Sequence, residues 1–261
     1  MTILRSVVPP LITLVLVLAV WAYATRSGGL PSYLLPDPLS VGRALWAGLA
    51  SGEYAPHIQF TLTSTLLGYG VGSVAAVAAG ILVAESRAFE RFVFPYIVAI
   101  QAMPKVALAP LILVWFGFGL ASKVVLVALI CFFPLLVNTI AGIRRTDPEL
   151  IDMARSFSRP PWWIFLHVKL PAAAGAIFAG LEIGIVLALI GAIVGEFVAA
   201  EKGVGYLIGS ATVNMNVSTM FAGVLMLAGF GIVGSALVRL AQRRIVFWEQ
   251  STGQSARGER A

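Results

Sequence analysis

The chain has 261 residues, 59% of them hydrophobic and only 11% charged, with a mean hydropathy of +0.93. Soluble domains carry about a quarter charged residues, so this composition excludes a water-soluble globular fold and indicates membrane spans. The formal charge of +6 sits in arginines beside apolar runs, not in a basic stripe interleaved with aromatics, which argues against a nucleic-acid surface, and the single Cys131 excludes an internal disulfide or cysteine-rich metal site.

Six apolar spans are predicted, over about 7–25, 60–84, 92–117, 122–142, 176–199 and 220–238. The first follows Arg5 and ends in "AYA" at 22–24, imitating a secretory signal. With five further spans behind it, it is expected to remain as an uncleaved helix. The stretch "LPSYLLPDPLSVGRALWAGLASGEYAPH" (30–57) is too polar and proline-rich to span. There Ser40 is expected to cap a short amphipathic helix carrying Leu45, Trp46 and Leu49 at the outer interface.

In the second span Gly68, Gly72, Ala76 and Gly80 share one face, and in the fifth Gly180, Gly184, Ala188 and Ala192 do the same. Helices in lipid pack through such small residues because hydrophobicity alone does not drive them together. In the third span Pro104 and Pro110 interrupt regular bonding on either side of Lys105, so a kinked span facing the protein interior is expected. The tail "STGQSARGERA" lacks apolar residues and reads as disordered. The expected organisation is all-α and polytopic. An N-terminal helix with its external segment occupies 1–59, a five-span core 60–242, and a cytoplasmic tail 243–261.

Orientation follows the distribution of Lys and Arg. With the N-terminus in the cytoplasm, Arg26, Arg43, Lys123 and Lys202 fall outside and Lys105 within a span, while the other thirteen of the eighteen fall inside. Both termini are then cytoplasmic, and so is the segment between the fourth and fifth spans, "TDPELIDMARSFSRPPWWIFLHVKLPAAAG" (146–175). It is rich in charge and proline in a chain that otherwise has little of either. Thr146 or Asp147 can cap a helix there, with Pro148 in its first turn and Glu149 completing a Thr-x-x-Glu box. Leu150, Ala154 and Phe157 should lie on one side, and Asp152, Arg155 and Arg159 on another. Pro160 ends this helix, a second runs from Pro161 to about Val168, and Leu170-Pro171 breaks the chain before the next span. Two amphipathic helices of this kind are either an interfacial hairpin with its tryptophans at headgroup level or a docking surface for a soluble partner. The acidic residues, out of place beside anionic lipid, suggest the partner.

The stretch "IDMARSFSRPPWWIFLHVKLPAAAGAIFAGLEIGI" resembles the cytoplasmic signature of binding-protein-dependent ABC importer permeases: Glu-Ala-Ala, a glycine four residues on, and a later Leu-Pro. Asp152-Met153-Ala154 stands for the first element, Ser158 for the glycine, and Leu170-Pro171 matches directly. "PLILVWFGFGLASKV" (110–124), "FFPLLVNTIAG" (132–142) and "GAIVGEFVAAEKGVGYLI" (191–208) are similar to the nitrate, taurine and alkanesulfonate branch, and the resemblance covers about 55–248. It implies a type I importer permease fold and a coupling role for residues 146–170, with Asp152, Met153, Ala154, Ser158, Leu170 and Pro171 at the contact. It further implies an ATPase subunit that binds ATP and Mg, an extracytoplasmic binding protein, a second permease copy, and a small anion such as a sulfonate or nitrate as cargo.

Within the membrane, Lys105 lies about 20 Å into the third span at 1.5 Å per residue. It either lines the route of an anion or pairs with Glu182 or Glu196 of the fifth span. Gln101 and Asn138 are further pathway candidates, or polar contacts between helices. His57 and His167 lack companions at metal-ligand spacing, no Ser/His/Asp arrangement occurs, and no G-x-x-x-x-G-K-[ST] loop is present. No metal site and no catalysis are therefore expected in this chain. An ion-coupled secondary transporter is the rival reading, and it requires intramembrane carboxylates and an internal repeat.

Overall fold

The computed structural model describes residues 2–27, 31 and 33–248, with side chains from Val8 onward. All regular elements among the described residues are helical, without strands. In chain order come α1 (Thr2–Arg26), α2 (Pro38–Ala50), α3 (Ala55–Glu85), α4 (Arg87–Phe92) and α5 (Phe94–Ala102). A 3-10 turn (Lys105–Leu108) leads into α6 (Ala109–Phe116), followed by α7 (Leu120–Arg144), α8 (Pro148–Ser156) and α9 (Pro161–Ile164). A π-turn (Phe165–Lys169) joins α9 to α10 (Leu170–Val198), and α11 (Val204–Val213) and α12 (Val217–Ile245) complete the fold. The expected tail beyond Trp248 lies outside the described residues.

Five stretches are long and apolar enough to cross a membrane: Val8–Arg26, Ala55–Glu85, Leu120–Arg144, Pro161–Val198 and Val217–Ile245. The predicted third span is a broken one, since Phe94–Ala102 and Lys105–Phe116 meet at 88°. The cause is local. Pro104 pushes Met103 into extended backbone (ψ 138°), removes a donor and ends α5. Pro110, by contrast, sits in the first turn of α6, where a missing N–H costs nothing. Depth counted along a continuous helix therefore does not apply to Lys105, which starts the turn after the break.

The core is built around α7, which packs between α3 and α10. Both predicted small-residue stripes are buried there. A β-carbon on Gly68 would stand 2.5 Å from Val127 Cβ and 2.8 Å from the Val124 carbonyl. One on Gly72 would stand 2.7 Å from both the Ala128 carbonyl and Cys131 Sγ. These distances require glycine, because backbone cannot yield as a side-chain tip can. Cys131 is buried and unoxidised at the same interface.

The end of the bundle opposite residues 146–170 is closed by α2, α11 and α12. The predicted amphipathic helix is present as α2, but Asp37, not Ser40, occupies its N-cap. Ser40 lies in the first turn, donating to the Asp37 carbonyl (2.7 Å) and contacting the Ser218 hydroxyl (3.0 Å) at the start of α12. Leu45 packs toward Tyr54 and Val204, while Trp46 and Leu49 remain exposed as expected of an interfacial helix. Helix α11 is absent from the predicted elements, because ten residues are too few to span.

Candidate functional site: the segment between α7 and α10 and the broken span

The segment begins at Asp147, whose carboxylate accepts from the Glu149 N–H (2.9 Å) and caps α8. Thr146 takes no part in a capping box. Its hydroxyl turns back to the Ile143 carbonyl (2.9 Å) and finishes α7. Helix α8 ends at Ser156, before Pro160 can act, because Ser158 adopts φ +54°. The Ser158 N–H then reaches the Arg155 carbonyl (2.8 Å) and the Arg159 N–H reaches that of Ala154 (3.3 Å). These are the paired bonds of a Schellman stop, whose left-handed residue is usually glycine. Ser158 thus stands at the position where the resembling signature carries glycine, and the backbone supplies the reason.

This geometry corrects the expected faces of α8. Ala154 is only 4% exposed and turned inward, away from the exposed Leu150 and Phe157 expected on its side, and Ser158 lies beyond the helix. The outward apolar stripe is Leu150, Met153 and Phe157, the last two 55% and 72% exposed. Asp152 pairs with Arg155 at 3.1 Å, whereas Arg159 leaves that face to lie over the Trp163 ring, 4.8 Å from its centroid. His167 stacks on the same indole, with ring centroids 4.4 Å apart.

Leu170-Pro171 does not break the chain. Pro171 has no N–H to return to residue 167, and the preceding turn widens into the π-turn Phe165–Lys169. Trp162 and the fifth span accordingly belong to one uninterrupted helical run, Pro161–Val198. Lys169 ties this run to the end of α3 through Glu85 (2.7 and 2.8 Å).

The intramembrane candidates separate. Lys105 pairs with neither Glu182 nor Glu196. Its ammonium donates to the Gln101 carbonyl (3.0 Å), one of the free carbonyls ending α5, and lies 4.5 Å from the Phe133 ring centroid. Phe133 lines an apolar cavity of about 840 Å³ between α3, the broken span and α7, with Met103, Leu108, Trp115, Phe116 and Phe132. The Gln101 side chain is exposed at the break. Asn138 back-bonds to the Pro134 carbonyl (2.8 Å) within its own helix. Glu182 holds Arg239 of α12 at 2.5 Å.

Glu196 belongs to a polar knot at the end of the bundle opposite residues 146–170. It is 1% exposed, accepting from the Thr61 hydroxyl (2.8 Å) and the Gly205 N–H (2.7 Å). Thr61 in turn accepts from the Val204 N–H (2.8 Å). Lys123 is fully buried in the first turn of α7, donating to the Phe118 (2.7 Å) and Ala199 carbonyls. No group of three or more metal-ligating side chains occurs among the described residues.

The overall helical fold resembles that of a solved transporter chain. A chain of an inward-facing methionine ABC transporter superposes with a TM-score of 0.60 at 19% identity, covering 81% of this chain and 96% of that one. In sequence, a riboflavin transport system permease of Chloroflexus aurantiacus is 38% identical over 92% of this chain and 90% of its own length. A putative aliphatic sulfonates transport permease of Bacillus subtilis is 31% identical, over 90% and 85% respectively. A formylaminopyrimidine transport permease of Halalkalibacterium halodurans is 29% identical over 92% and 96%. The model of the binding-protein-dependent transport system inner membrane component matches residues 68–247, and the chain belongs to that family: it is a multi-pass inner-membrane permease subunit of an ABC importer.

Proposed function

We propose that two copies of this chain form the translocation pathway, that a separate ATPase binding ATP and Mg docks on residues 146–170, and that an extracytoplasmic binding protein delivers the cargo. The exposed stripe Leu150, Met153 and Phe157 carries the docking reading. It lies on a short helix fixed at both ends by its cap and its Schellman stop, and a preformed apolar ridge loses little entropy on entering a groove. Asp152 beside it, together with Ala154, Ser158, Leu170 and Pro171, shapes the ridge and its connection to α10. The second copy is supported by Lys105. Intramembrane cations face a bundle interior or a wetted cavity, so the face bearing Lys105 needs cover that one copy does not supply.

The same lysine supports a small anion, such as a sulfonate or nitrate, as cargo. Lys105→Met is expected to lower uptake of an anionic cargo by about tenfold or more, the scale of one charged hydrogen bond, with assembly and ATPase retention intact. Undiminished uptake in that variant would remove the anion reading. A flat heteroaromatic solute is the second reading, supported by the aromatic lining around Phe133. Competition by a flavin in the presence of Lys105→Met would select it. The distribution of Lys and Arg supports both termini lying in the cytoplasm. Reporter fusions at Ser51 and Asn214 are expected to report outside and those at Ser86, Arg159 and Gln250 inside; an inside signal at Ser51 reverses the topology and ends the docking reading.

A further inference from the structure

Between the segment's inner side and the ends of the spans lies a polar cleft of about 630 Å³. Its walls carry five cations, Arg87, Arg144, Arg155, Arg159 and Lys169. Only two carboxylates, Glu85 and Glu90, face them there. Each carboxylate is already engaged, Glu85 by Lys169 at 2.7 Å and Glu90 by Arg144 at 2.8 Å. Arg155 turns part of its charge to Asp152, and Arg159 rests on Trp163. Arg87 has no ion-pair partner among the described residues. Arg87 and Arg159 are thus left without a carboxylate partner among the described residues, and the cleft is net positive.

Its level in the molecule narrows the chemistry. Glu85 is the last residue of α3, Arg144 the last of α7, and Lys169 the residue before α10. The cleft thus opens where three spans leave the hydrocarbon. Exposed Phe89 and Phe92 on α4 and Trp162 on α9 surround this level, as aromatics do at a membrane interface. Buried Ile164 and half-buried Ile151 form its apolar floor.

We propose that this cleft binds the phosphate of an acidic phospholipid headgroup. Guanidinium groups suit phosphate because their donors match two of its oxygens at once. Basic pockets between spans on the cytoplasmic side take such headgroups. The acyl chains would then lie along the exposed outer side of α4. The apolar ridge of α8 points away from the cleft, so a lipid there and an ATPase on the ridge do not compete. The cytoplasmic placement rests on the orientation proposed above.

The test uses the complete transporter, permease with ATPase, in equimolar phosphatidylglycerol and phosphatidylcholine, with retained lipids counted by native mass spectrometry. The wild type is expected to retain phosphatidylglycerol in preference. Arg87→Gln with Arg159→Gln is expected to reduce that preference by about tenfold or more, since a basic residue near an anionic surface contributes about a factor of five. The milder Arg87→Lys, Arg159→Lys variant should keep most of it and guards against misfolding. Equal retention of both lipids by the wild type overturns the proposal, as does a preference unchanged in the glutamine variant. Displacement of the lipid by inorganic phosphate alone would make this a soluble-anion site and also overturn it. A preference seen in isolated permease but abolished by the ATPase would mean that the ATPase fills the cleft, and the proposal would fall on that result too. The spectra separate this site from the docking reading. Lost ATPase with lipid preference intact defeats docking only, and bound ATPase without lipid preference defeats this site only.

Discussion

A permease carrying Met153→Ala and Phe157→Ala is expected to insert normally, lose its ATPase in a pull-down and import nothing. Fully burying one large apolar side chain contributes about 1.5–3 kcal/mol, so removing two costs the docked state roughly 3–6 kcal/mol. That is about a hundredfold or more in affinity. The permease itself should tolerate the change, because both side chains are exposed and alanine favours the helix. Ser158→Gly is the informative contrast. It relieves the left-handed backbone at φ +54° without touching the ridge, so ATPase retention should stay at or above wild type. Ala154→Glu would be a poorer test, since it forces a charge into a buried position and unsettles the segment whatever it docks against. Full ATPase retention and uptake in the double alanine variant would place the coupling contact elsewhere.

Glu196→Ala is expected to be the most damaging single substitution at the outer end. It would leave the Thr61 hydroxyl and the Gly205 N–H without their buried acceptor, each at about 1–3 kcal/mol, and open a void beneath the loop. Glu196→Gln keeps an acceptor and should be milder. The loop has no obvious alternative. Gly203 sits at φ +123°, with the Glu196 carboxyl where its side chain would go. The measurement is thermal stability in detergent, together with labelling of a cysteine placed at Lys202. A lower melting temperature and faster labelling are expected. Unchanged values in the alanine variant would show that the knot does not hold the outer end.

Much of the framework is legible in the residues taken in order. Gly68, Gly72, Gly180 and Gly184 recur at helical spacing, and that spacing is the interface itself. Residues 146–170 stand out by charge and proline content, and α8 is recognisable from Asp147-Pro148. Its stop is not, because a serine in the left-handed region carries no compositional warning. The expected side of Leu150, Ala154 and Phe157 is divided, because the small Ala154 is packed inward while the two large side chains stay exposed. The predicted third span has the right apolar length, and the kink expected there is a turn of 88° at Pro104 that splits it in two. Lys105 finds a carbonyl and a ring in place of a carboxylate, since local partners four residues away need no long-range pairing. The Glu196 knot joins residues 61, 196 and 205 across the sequence, and no periodicity reports such contacts.

The π-turn before Pro171 has a mechanical meaning. Because helical structure is unbroken from Pro161 to Val198, this stretch is a rod of roughly 57 Å at 1.5 Å per residue. Rocking such a rod by about 5° about its inner end carries the other end through roughly 5 Å, the rise of one helical turn. A hinge at Leu170-Pro171 would absorb a displacement of Trp162 locally; a widened turn passes it on. The outer end of the rod carries Glu196, and with it the loop leading to α11. If the hairpin faces the cytoplasm as proposed, a displacement of it is carried to the far end of the bundle through one continuous backbone, which Lys169 and Glu85 tie to α3.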